Sequence, residues 1–97
     1  MRIKNIVELT ELEEQEGLMD IVLDVDLDQE VASRWELVNP KVWAVYRKYG
    51  DYRLDYLELV DNGMNVHGFE FTDREKKEIL SFIEAEILRQ SGEGHLN

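Results

Sequence analysis

The clearest pattern in the chain lies between residues 18 and 28. Met19, Ile21, Leu23, Val25 and Leu27 alternate with Asp20, Val22, Asp24, Asp26 and Asp28. Successive side chains of a strand point to opposite faces. A period of two therefore predicts a strand with one apolar face and one face that is nearly a row of carboxylates. A helix does not fit, because a period of two makes no helical stripe. Residues 3–10 are rich in β-formers, which places Ile3, Val7 and Leu9 on one face of a first strand. Residues 11–17 are acidic and end on Gly17, which predicts a loop or a short turn. Residues 41–49 and 52–60 have the β-branched and aromatic content of strands, joined by a tight turn at Gly50–Asp51. Asn62–Gly63 predicts another tight turn, since both residues tolerate the positive φ it needs. Residues 64–71 then complete a three-stranded meander, with Gly68 as a bulge. Segment 29–40 stays open between helix and strand. Val31, Trp35 and Val38 have helical spacing, and Asn39–Pro40 closes the segment with a turn.

The period changes after Phe71. Thr72-Asp73-Arg74-Glu75 reads as a capping box, in which the threonine hydroxyl and the Glu75 carboxylate each satisfy a backbone amide at the start of a helix. Asp73 and Glu75 also suit the positive end of the helix dipole. Ile79, Phe82, Ile83 and Ile87 follow as an apolar stripe, widened by Leu80 and Leu88. Ser91-Gly92-Glu93-Gly94 is expected to stop this helix. Together these elements predict an α+β fold, an antiparallel sheet of four to five strands packed against one C-terminal amphipathic helix. Residues 1–90 are expected to form a single domain and 91–97 a flexible tail.

Composition narrows the function classes. The chain has 97 residues with 22 acids and 11 bases, a formal net charge of −11. That charge disfavours bare DNA, RNA or anionic lipid, which need Lys and Arg to neutralise them. It favours a protein partner with a basic surface. The acids are uneven, with ten against two bases in residues 1–30 but four against five in residues 31–60. No cysteine is present, so disulfides, thiolate zinc sites and a cysteine nucleophile are excluded. No apolar run approaches the ~18 residues of a membrane span, nor is there the core of a signal peptide. The expected location is cytoplasmic.

Candidate chemistry is sparse. Asp24, Asp26 and Asp28 have the opening spacing of a calcium loop, but the sixth position is Gln29 where glycine is required and the twelfth is Trp35 where glutamate is required. His67 and His95 have no recognisable nucleophile or orienting partner. Gly50, Gly63 and Gly68 form no phosphate-binding motif. No enzymatic activity, metal or cofactor is expected. Two surface groups remain. One is an acidic face, Asp20, Asp24, Asp26 and Asp28, extended by Glu11, Glu13, Glu14 and Glu16. The other is an aromatic and basic patch of Trp35, Trp43, Tyr46, Arg47, Tyr49, Tyr52 and Arg53, residue types favoured where proteins bind one another. Strand 41–49 is apolar on both faces, and one helix covers one face.

The expected role is a non-catalytic protein-binding module. A sharper form is an inhibitor whose carboxylates imitate a phosphate row and fill a basic groove. In size and charge alone the chain is similar to small acidic inhibitors of phages and mobile elements. The alternatives are a structural protein that forms a homodimer and a divalent-cation-binding domain centred on Asp24, Asp26 and Asp28.

Overall fold

A computed structural model describes residues 1–12, 17–49 and 51–88. Five antiparallel strands lie in chain order: β1 (Arg2–Leu12), β2 (Leu18–Asp26), β3 (Pro40–Tyr49), β4 (Asp51–Asp61) and β5 (Met64–Asn65). A short helix α1 (Gln29–Arg34) joins β2 to β3, and helix α2 (Asp73–Ile83) follows the sheet. The expected α+β architecture is the observed one. Its last turn, Glu84–Leu88, widens to π-helical geometry.

Alternation in β2 works as the sequence predicts. Met19, Ile21, Leu23 and Val25 are all buried, whereas Asp20, Val22 and Asp24 are half-buried and Asp26 is exposed. Across the sheet these apolar residues meet Val42, Ala44 and Tyr46 of β3, and through β3 they meet Leu59 and Leu57 of β4. Helix α2 lays Ile79 and Ile83 on this layer, both fully buried, with Ile87 beyond them. Four-residue spacing puts the three isoleucines on one side of the helix.

The helix begins as predicted. The Glu75 amide donates to Thr72 Oγ1 at 3.1 Å, and the Thr72 amide donates to Glu75 Oε1 at 2.9 Å. Arg74 and Glu78, four residues apart on the helix, also form a surface pair at 3.4 Å. Thr72→Ala should cost about 1 kcal/mol, read as a lower urea midpoint at unchanged slope.

Several expectations are corrected. Strand β1 does not place Ile3, Val7 and Leu9 together. Extra residues at Lys4 and Val7 break the register with β2, so Ile3, Ile6 and Leu9 pair with Val25, Leu23 and Ile21. A three-residue apolar spacing cannot stay on one face of a regular strand, and one bulge per interval restores it. Val7 is left 51% exposed. Strand β4 has the same device at Asp55, where Val45 pairs with Tyr56 but Tyr46 pairs with Leu54. The bulge brings Leu54 to the same side as Leu57 and Leu59.

The third meander strand is only Met64–Asn65, not 64–71. It follows the predicted turn, with φ of 52° at Asn62 and 82° at Gly63. After it the chain leaves the sheet. Gly68 is therefore no bulge. It is a turn residue with φ of 83°, closely approached by Trp35. The open segment 29–40 is helical only over Gln29–Arg34. Its exit is held by Asp61, whose carboxylate accepts from the amides of Val38 at 3.0 Å and Asn39 at 2.7 Å. The turn at Gly50, the helix stop at Ser91–Gly94 and the tail at 91–97 lie outside the described residues.

Candidate functional site

Helix α2 covers one face of the sheet. The opposite face is built by the other half of each strand's alternation, and its rows follow from the register. One row runs Asn5, Asp24, Lys41, Val60, Asn65. The next runs Glu8, Val22, Trp43, Glu58, and the third runs Thr10, Asp20, Val45, Tyr56. Beyond it Leu18 pairs with Arg47, and Arg47 with Arg53. The centre of this open face is apolar and aromatic. Trp43 meets Tyr56 edge to face, with ring centroids 5.5 Å apart. Val45 is only 3% exposed although no helix covers it. Its cross-strand neighbours are Asp20 and Tyr56, and Trp43 and Arg47 flank it on the same face of β3.

Both residue groups singled out from the sequence contribute to this face, but neither does so whole. Asp20, Asp24 and Asp26 are on it, as are Trp43, Arg47 and Arg53. Tyr46 is on the helix side and 4% exposed, so it belongs to the core. Tyr52 also packs against the core. Trp35 sits apart, edge to face with Phe69 at 5.6 Å, and Phe69 in turn meets Phe71 at 5.1 Å. These rings fasten the connector after α1 to the loop before α2. Glu11 is exposed on β1 beside Met19. Asp28 is exposed ahead of α1 and makes no side-chain cap there. Glu13, Glu14, Glu16 and the side chain of Tyr49 lie outside the described residues.

The carboxylate row is not a bare run of negative charge. Asp24 is met by Lys4 at 3.7 Å and by Lys41 at 3.6 Å. Asp26 is met by Arg2 at 3.2 Å and by Lys4 at 3.4 Å. The amino group of Met1 lies 3.4 Å from Asp28. Each pair is at the surface and worth at most about 1 kcal/mol. Their effect is on the pattern of charge, because bases from β1 and β3 interleave with the acids of β2. At the other end of the face Arg47 pairs with Asp55 at 3.4 Å. Asp20 and Glu58 near the centre, and Glu8 on the edge strand β1, have no ion-pair partner among the described residues.

The two surface groups singled out from the sequence leave out Tyr56, Glu58, Glu8 and Val22. The strict alternation of Tyr56, Glu58 and Val60 with Leu57 and Leu59 is the signal that could have placed the β4 residues on one face. The Tyr56 hydroxyl has its pKa raised by burial and then by the negative charges of Glu58, Asp20 and Asp55. Those three carboxylates therefore crowd its end of the face.

On the helix side, burial and then the charge of Glu84 push the Tyr46 hydroxyl up to about 12 from its ordinary 10.0. The folded state then holds this proton more tightly than the unfolded chain does. The stabilisation is complete below pH 10.0 and is lost as the pH rises through about 12. The melting temperature should fall across that window, and less steeply in Tyr46→Phe. Equal slopes would show that Tyr46 does not keep its proton in the fold.

Of the two histidines, His95 lies outside the described residues. His67 is exposed in the turn before Gly68. Among the described residues no group of three or more His, Asp or Glu could hold a metal ion, and no helix is long and apolar enough to cross a membrane. Comparison with protein-family models, with curated proteins and with solved structures finds no match for this chain, so the open face itself has to carry the functional reading.

Proposed function

We propose that this chain is a non-catalytic protein-binding module of the cytoplasm, which docks a partner of basic surface on the open face of its sheet. The supporting observation is the composition of that face. A Trp43–Tyr56 ring pair shares the face with Val22, Val45 and Val60, beside Asp24 and Asp55, which are paired with bases, and Asp20 and Glu58, which among the described residues are not. An apolar and aromatic centre inside a polar rim is the usual anatomy of a docking surface. The phosphate-imitating form of this reading is supported less well. Lys4 and Lys41 offset the charges of Asp24 and Asp26, the carboxylates that would have to attract a basic groove. Self-association through the same face is opposed by the charge of −11 on each copy.

Light scattering on the purified chain at low and high salt, followed by salt-graded retention of partners from the source cells, tests this reading. A monomer at both salts, and a retained protein released by changes on the open face but not by changes on α2, is the expected result. A salt-resistant dimer would replace docking with self-assembly.

A further inference from the structure

Glu58 carries the one buried side-chain oxygen among the described residues that has no hydrogen-bond partner, its Oε2. It lies across from Trp43 in the middle of the open face, two positions along β4 from Tyr56. The acids toward the edges of that face, Asp24, Asp26 and Asp55, are each met by a base of this chain. Asp20 and Glu58, nearer the centre, and Glu8 on the edge strand β1 are not, among the described residues. The centre therefore combines two aromatic rings with the charges of Asp20 and Glu58, which no base among the described residues offsets.

Resting on the docking reading above, we propose that the centre of the open face receives an arginine side chain of the partner protein, the guanidinium lying against Trp43 and Tyr56 and donating to Glu58. Aromatic faces attract cations, more so where water is partly excluded. A carboxylate with no cation beside it gains from a charged donor where water is partly excluded. The planar, weakly hydrated guanidinium can stack on a ring and donate to a carboxylate at once, which a lysine ammonium does less well. A second copy of this chain is a poorer occupant, because each copy brings a charge of −11.

The test is nuclear magnetic resonance titration of the whole chain with a blocked tripeptide bearing a central arginine, set against the same peptide bearing citrulline, its uncharged isostere. The arginine peptide should shift the Trp43 indole N–H and the Tyr56 ring saturably, and the citrulline peptide should not. Glu58→Gln should weaken the arginine peptide about fivefold or more, while Glu78→Gln, which removes the same charge from α2, leaves it unchanged. Equal shifts from both peptides, shifts spread over α2, or equal effects of the two variants would overturn the proposal. So would movement of the Trp43 and Tyr56 signals with protein concentration alone, which would assign the face to a second copy. If changes at Trp43 release the retained partner while the arginine peptide leaves Trp43 unmoved, docking stands and the arginine receptor falls. If the peptide binds but changes at Trp43 release nothing, docking fails and the partner's arginine falls with it.

Discussion

Ile83→Ala should destabilise the protein by about 2–5 kcal/mol, a large part of the about 5–15 kcal/mol that holds a domain of this size together. Ile83 is fully buried, and so is its helix neighbour Ile79. The two lie over Ile21, Leu23, Val42 and Ala44, also fully buried. Truncation removes apolar area and leaves a hole that a sheet already fixed by its hydrogen bonds fills poorly. A urea titration at unchanged slope would report the loss as a lower midpoint. Ser81→Ala, two residues away on the exposed side of α2, serves as the control and should change little. A cost for Ile83→Ala below about 1 kcal/mol would mean that α2 is not seated on the sheet as described.

The second large effect is on binding. Trp43→Ala should weaken the partner complex about 30-fold or more, the usual cost of removing a tryptophan at the centre of an interface. Its cost to folding should be smaller, because the ring is only half-buried and loses chiefly its edge-to-face contact with Tyr56, worth about 0.5–1.5 kcal/mol. Trp35→Ala is the informative comparison. Trp35 is 36% exposed, but it packs against Gly68 and Phe69 at another place in the fold. It should loosen the loop before α2 and leave partner affinity nearly unchanged. Isothermal titration on both variants, with circular dichroism to check folding, separates the two tryptophans. Equal loss of affinity would mean that the open face is not where the partner sits.

The surface pairs around Asp24 and Asp26 bear on how such binding should respond to salt. A bare row of aspartates would make it strongly salt-dependent. Interleaved lysines and arginines cancel much of that field locally, and the remaining pairs are screened within about 10 Å at moderate ionic strength. Most of the net charge of −11 must then act as a diffuse field that repels other acidic surfaces, not as a local anchor.

Much of the fold was legible in the sequence because its signals are local. Strict alternation in β2 specified a strand and its buried face, since side-chain direction depends only on the strand's own backbone. The capping box specified where α2 begins, because its two hydrogen bonds join residues three apart. Four-residue spacing of Ile79, Ile83 and Ile87 specified which side of the helix is buried. The φ values at Asn62 and Gly63 follow from residue types that accept a left-handed backbone.

What the sequence did not disclose depends on pairing between strands. The bulges at Lys4, Val7 and Asp55 exist because the apolar residues of β1 and β4 must meet a partner already fixed by β2 and β3. Pairing set Tyr56 and Glu58 beside Trp43, while the regular alternation of β3 put Tyr46 with Val42 and Ala44 in the core, which divides an aromatic cluster that looked continuous along the chain. It also set Lys4 and Lys41 beside Asp24, turning a row of carboxylates into a mixed-charge rim. Local periodicity thus determined which residues are strand, helix and core. Only the sheet, by bringing together residues distant in the chain, decided which aromatics meet on the open face and which carboxylates there have no cation partner among the described residues.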